Sequence, residues 1–195
     1  MLLKVFVNYI VSAINVFILI RYIYLLYTKK ISPSLAMWVF FSLAVGISLV
    51  TYFAEGSYNV SDNILNFTDL ILVVSVTIAI LLWGDVSTRF NRFDLVCLTA
   101  VIAIILFWVL SKNHVVANYA VQTIMVISYF PVLKRMLHQQ KNTEAFSVWI
   151  LMLLAAAISL FASKGVLASV YAIRAVVCTG TLLLLMIWIE IKDRH

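Results

Sequence analysis

Apolar runs at about 5–27, 35–54, 64–84, 94–111, 115–136, 146–163 and 167–190 take up most of the 195-residue chain. Each is long enough to cross ~30 Å of hydrocarbon, which takes roughly 17–25 helical residues. No soluble core of this size absorbs so much apolar surface, since 65% of the residues are hydrophobic and 11% charged. The runs are too long for barrel strands and do not alternate, so helices are the spanning element that satisfies every backbone group internally. The expected fold is all-α: a polytopic membrane protein of seven transmembrane helices forming a single domain over 1–195. The first run has no small-residue cleavage site and continues through Arg21 to Tyr27, which reads as a retained helix instead of a signal peptide.

Basic residues set the orientation. The connections after spans one, three and five, together with the C-terminus, carry Lys29, Lys30, Arg89, Arg92, Lys134, Arg135, Lys141, Lys192 and Arg194, whereas the opposite side has Lys4, Lys112 and Lys164. Positive charge stays inside, so the N-terminus is expected outside and the C-terminus in the cytoplasm, in a membrane of the bacterial plasma type. The net charge of +6 then faces anionic lipid. It is scattered over short loops without interleaved aromatics, so no nucleic-acid partner is expected. Cys97 and Cys178 fall inside spans and read as small apolar residues.

An internal repeat organises the chain. Residues 8–20, NYIVSAINVFILI, overlay 118–130, NYAVQTIMVISYF, pairing Asn8 with Asn118, Tyr9 with Tyr119, Val11 with Val121, Ile14 with Ile124 and Val16 with Val126. One inserted loop residue then pairs Trp38 with Trp149 and Ile47-Ser48-Leu49 with Ile158-Ser159-Leu160; the third helices align through Trp83 and Trp188. Each half, 5–84 and 115–190, is a three-helix unit. A three-helix unit reverses its entry side, so the unmatched span 94–111 returns the second unit to the orientation of the first. The plan is 3+1+3, with parallel repeats about an axis along the membrane normal.

The second unit, with Pro131 in its first helix, a basic turn and "KNTEAFSVW" at 141–149, resembles the PQ-loop family, to which the SWEET and SemiSWEET sugar transporters and the KDEL receptors are related. The glutamine of the family's name is Val132 here, and the first unit has Arg21 where a proline would stand, with Pro33 at the start of its second helix. The resemblance implies alternating access, with Pro131 as a hinge about which a three-helix unit bends; the residue chemistry alone supports a static kink equally well. Nicotinamide riboside transporters share the 3+1+3 plan, without motifs found here.

Charges inside hydrocarbon are costly, about 2.5–3.5 kcal/mol each on the lower scales, so they mark sites or pairs. Asp69 and Arg174 stand two turns into the third and seventh spans, and the repeat makes them the same position. Three-to-four spacing puts Asn66, Asp69, Val73 and Thr77 on one face, and Tyr171, Arg174, Cys178 and Thr181 on the other. These stripes are expected to line a solute site between the units, with Asn66, Asp69, Thr77, Tyr171, Arg174 and Thr181 binding; the alternative for Asp69 and Arg174 is a structural salt bridge. Asn15, Gln122, Ser128, Tyr129, Ser48 and Ser159 are read as helix-to-helix hydrogen bonders. Trp38, Trp83, Trp149 and Trp188 all stand near one set of span ends and are expected in an aromatic belt, and Glu144 is expected to cap the sixth span.

No paired His, Cys/His cluster or Gly-rich phosphate loop is present, so neither an enzyme nor a cofactor or metal is implied. A retinal protein would need a lysine where Arg174 stands. The partners expected are the lipid bilayer and a small polar solute, moved by facilitated diffusion or with protons; a homo-oligomer is compatible and not required. A receptor or sensor, or an accessory domain without a ligand, stays open. Sugars in this superfamily are held by asparagines and stacking tryptophans, and the absence of a mid-span tryptophan argues against a sugar.

Overall fold

The computed structural model describes residues 2–33, 35–84, 92–142 and 144–193, and within these the side chains of all but Phe93, Asp94, Cys97, Pro131, Arg135, Gln139 and Asp193. Arg89, Thr143 and Arg194, and the side chains of Cys97, Pro131 and Arg135, therefore lie outside the described residues. Every regular element among the described residues is helical: α1 Leu2–Tyr27, α2 Leu35–Glu55, a 3-10 turn Val60–Asp62, α3 Ile64–Trp83, α4 Arg92–Ser111, α5 His114–Ile127, α6 Phe130–Gln139, α7 Phe146–Ser159 and α8 Val166–Asp193.

By length and composition five segments can cross a membrane: α1, α2, α3, α5 with α6, and α8. Of the other two apolar helices, α4 contributes the stretch Leu98–Ser111 and α7, Phe146–Ser159, is shorter. The helix in the expected span 146–163 ends at Ser159, whose carbonyl accepts from Ala162 N and from Ser163 N and Oγ, each at 3.0 Å, and Gly165 at φ +83° leads the chain into α8. An added Cβ there would lie 2.7 Å from Tyr58 Oη.

The fifth expected span, 115–136, falls within the apolar segment His114–His138, in which a turn at Ser128 and Tyr129 separates α5 from α6. Pro131 has no N–H for the carbonyl four residues back, and Ser128 Oγ donates to Ile124 O at 2.8 Å, turning the backbone out of register just before it. Helix α6 restarts at Phe130 with Pro131 in its first turn, where the missing donor carries no penalty.

Polar ties show which helix ends meet. Lys4 at the start of α1 is ion-paired with Asp62 just before α3, and Lys29 after α1 donates to the carbonyl of Trp83 at the end of α3. Helices α1 and α3 thus run in the same direction. The α2–α3 and α7–α8 connections also meet: Lys164 N donates to Asp62 O at 2.9 Å, Tyr52 Oη donates to Lys164 O at 2.9 Å, and Tyr52 stacks on Tyr58 with centroids 4.5 Å apart. At the opposite end, Lys192 of α8 donates to Gln140 after α6. In packing, α1 lies against α3 and α7, α2 against α3 and α5, α7 against α8, and α4 against α5 and α2. Within a bilayer, lipid would supply no hydrophobic drive between helices and packing would rely on close fit, as at the buried Ala155 and Ala156 of α7.

Burial alone would raise the Asp62 carboxyl. The hydrogen bond from Lys4, the Asn59 N–H and the charges of Lys4 and Lys164 outweigh it and hold the group below the usual carboxylate range. A depressed native pKa stabilises at pH values above the unfolded one and is lost as pH falls through the native one. Melting of the purified protein should therefore fall in strong acid by about 1 kcal/mol from this tie. Asp62→Asn should lose that amount at neutral pH and show a flatter acid limb.

Candidate functional site

One cavity, with about 50 Å³ open to the centres of water molecules, is walled by α1, α2, α3, α5, α7 and α8 together with Tyr129 of the α5–α6 turn. Its charged members are Asp69 of α3 and Arg174 of α8. They do not form an ion pair; Lys4–Asp62 is the ion pair among the described residues. Asp69 Oδ1 instead accepts from Asn15 Nδ2 of α1 at 3.0 Å, and Oδ2 accepts from Tyr171 Oη at 2.9 Å. Arg174 Nε donates to Gln122 Oε1 of α5 at 3.1 Å, and its guanidinium carbon sits 4.6 Å from the centroid of the Tyr171 ring.

The two halves hold their charges in the same way. In each, an amide on one helix grips the charge on another: Asn15 of α1 holds Asp69 of α3, and Gln122 of α5 holds Arg174 of α8. The amide atom is reversed with the sign, because a carboxylate needs a donor and a guanidinium an acceptor. Tyr171 joins the two, its hydroxyl on Asp69 and its ring face under Arg174.

Behind Gln122 lies a second buried network. Its Nε2 donates to Ser48 Oγ at 2.8 Å, where Asn66 Nδ2 also donates at 3.0 Å, while Asn118 Nδ2 donates to Ser48 O at 2.9 Å. Asn66 is fully buried and is tied to Ser48 instead of lining the cavity. Of the other expected site residues, Thr77 bonds Ser42 at 3.0 Å and Val73 O at 2.7 Å. Thr181 faces outward, its hydroxyl donating to Val177 O at 2.8 Å. The inward stripe of α8 proceeds through Tyr171, Ala175, Thr179, Leu182 and Met186, mostly four-residue steps, and the three-residue step from Cys178 to Thr181 leaves it. The structure thus brings together Asp69, Tyr171 and Arg174 of the expected set and leaves Asn66, Thr77 and Thr181 elsewhere; Pro131 stands at the α5–α6 break.

Two cavity residues run against the sequence reading. Trp38 and Trp149 are each 1% exposed and line the cavity, so they are not belt residues, although each stands in the first turn of its helix and not at mid-span. Trp83 and Trp188 are 40% and 48% exposed. Trp38 packs edge-on against Tyr22, with centroids at 4.9 Å, and against Phe41 at 6.2 Å, while Trp149 meets Tyr129 at 6.0 Å. Glu144 is buried beside Trp149, accepting from its Nε1 at 3.3 Å; the N-cap position of α7 is Ala145, with no side-chain bond to the first turn. The Glu-x-x-x-x-Trp spacing is the sequence signal for this inward tryptophan.

No protein family, curated protein or solved structure matches the chain. The functional reading therefore rests on the geometry. It offers a carboxylate and a guanidinium in one wall, separately held, within a ring of aromatic side chains. Such an arrangement could bind and orient a polar molecule.

Proposed function

We propose that the chain is a small-solute membrane transporter of the PQ-loop, SWEET-like kind, in which three-helix units 5–84 and 115–190, joined by 94–111, rock about the central cavity. The N-terminus lies outside and the C-terminus in the cytoplasm. The packing supports this plan: the first helix of each unit lies against the second helix of the other, α1 on α7 and α5 on α2, as a pseudo-two-fold axis requires.

The observation that carries the reading is the placement of Asp69 and Arg174. Repeat-equivalent charges stand in the wall of one cavity between the units, and no direct ion pair joins them. A purely structural pair would close on itself, because two unpaired charges in a membrane interior carry a large desolvation cost. The cavity lies between two closures. Toward one end the Asp62–Lys164 and Tyr52–Lys164 bonds tie the units together; toward the other Trp38, Phe41, Tyr129 and Trp149 pack edge to face. Rocking would open either closure while the other stays shut.

The test is counterflow uptake in proteoliposomes against a panel of sugars, amino acids and vitamins, for the intact protein and Asp69→Asn. The expected result is uptake of one solute class by the intact protein, reduced at least tenfold in the variant. Binding of a solute without flux would overturn transport in favour of a receptor or sensor. Neither binding nor flux would favour an accessory membrane domain.

A further inference from the structure

We infer that the solute is a small zwitterion, an ammonium and a carboxylate on one short carbon skeleton as in an α-amino acid, with its ammonium on Asp69 and its carboxylate on Arg174. This rests on the reading of the central cavity as the solute site, and narrows it.

Three observations support the class. Asp69 is bonded by two neutral donors, Asn15 and Tyr171, and Arg174 by one neutral acceptor, Gln122, and a ring face. Both are held in place and oriented, and neither meets an opposite charge within bonding range. A molecule carrying both charges pairs each of them at once and adds no net charge to the cavity. A single-charge ion leaves one partner unmatched, and a neutral polyol leaves both, which is rejection by unpaired buried charge.

Size points the same way. About 50 Å³ open to water centres admits roughly three to five waters at ~10–15 Å³ each, or about 100–150 Å³ of liquid at ~30 Å³ per water. That suits a molecule such as glycine or alanine better than a hexose. The third observation is an unused donor. Trp38 lines the cavity and is 1% exposed, yet its indole Nε1–H has no acceptor among the described residues. Buried donors without partners are uncommon, and a ligand oxygen in the cavity would supply the missing acceptor.

The experiment measures binding of L-alanine, of its single-charge halves propionate and ethylamine, and of glucose, to the purified full-length protein in lipid nanodiscs, followed by alanine counterflow in proteoliposomes. Alanine is expected to bind at least tenfold tighter than either half or glucose. Asp69→Asn should shift the preference from alanine to propionate, and Arg174→Gln from alanine to ethylamine. That exchange of charge preference is something a misfolded variant could not produce. Glucose binding as tightly as alanine, either half matching alanine, or no alanine binding by the intact protein would overturn the inference. The failures are separable: alanine binding without alanine flux leaves the ligand class standing and removes transport, whereas glucose flux without alanine binding removes the ligand class and leaves transport.

Discussion

Trp38→Ala and Trp149→Ala should each destabilise the protein by roughly 3–5 kcal/mol, while Trp83→Ala and Trp188→Ala should each cost under about 1 kcal/mol. All four residues stand at corresponding ends of spans, and two repeat-related pairs account for them, so composition and position are matched. What differs is rotation. Trp38 and Trp149 are 1% exposed and sit in a continuous edge-to-face set with Tyr22, Phe41 and Tyr129, so truncation empties a volume beside an existing cavity and removes contacts that lipid cannot replace. Trp83 and Trp188 touch Tyr27 and Lys192 and otherwise face the surroundings, where an acyl chain fills the space left. Trp149→Phe separates packing from hydrogen bonding: it keeps a ring and leaves the buried Glu144 carboxylate short of the donor at 3.3 Å, a loss of about 1–3 kcal/mol. Unfolding of the detergent-solubilised protein, followed by intrinsic fluorescence, reads all five. Equal shifts for the four alanine variants would mean that the inward and outward pairs are not distinct.

The same tryptophans show how far the sequence could be read. Helical class and most spans follow from apolar length alone, because hydrocarbon thickness fixes how many residues a crossing takes. Rotation about a helix axis does not follow. In a soluble helix the apolar face announces the core, but here the lipid side and the packed side are equally apolar, so the pattern carries no phase. Polar residues restore some of it, since a charge in a span must turn inward, and that logic brings Asp69, Tyr171 and Arg174 together. It fails for Thr77 and Thr181, because a threonine hydroxyl can bond its own helix, here to Val73 O and Val177 O, and is then at ease facing either way. Asn66 turns inward as a buried amide should, but toward Ser48 and not toward the cavity, a choice set by α2, whose rotation the sequence does not give. The α5–α6 break is half legible: Pro131 marks it, whereas the serine hydroxyl that completes it looks like any other serine.

Gln122→Leu should cost roughly 3–5 kcal/mol, the range for stripping a buried charge of its partner, and that is more than a single amide would suggest. The Gln122 side chain faces two networks. Its oxygen accepts from Arg174 Nε, and its nitrogen reaches Ser48 Oγ and Asn118 Oδ1 at 2.8 and 3.3 Å. Leucine fills a similar volume, so little of the loss is packing; it comes from a guanidinium stripped of its Gln122 acceptor and left with Tyr171. Asn15→Leu, the corresponding change on α1, should cost less, about 1–3 kcal/mol, because Asp69 retains the Tyr171 hydroxyl. Thr181→Val should stay within about 0.5 kcal/mol. Gln122→Glu keeps the bond to the guanidinium and removes the other network. A carboxylate there still accepts from Arg174 but cannot donate to Ser48 Oγ or Asn118 Oδ1, so stability should fall by about 1–3 kcal/mol, less than for Gln122→Leu, while the guanidinium acquires a bonded opposite charge and an anionic group of a solute loses its anchor. A folded Gln122→Glu protein that binds solute as tightly as the intact protein would show that Arg174 does not face the ligand, and the charge pattern of the cavity would then be structural.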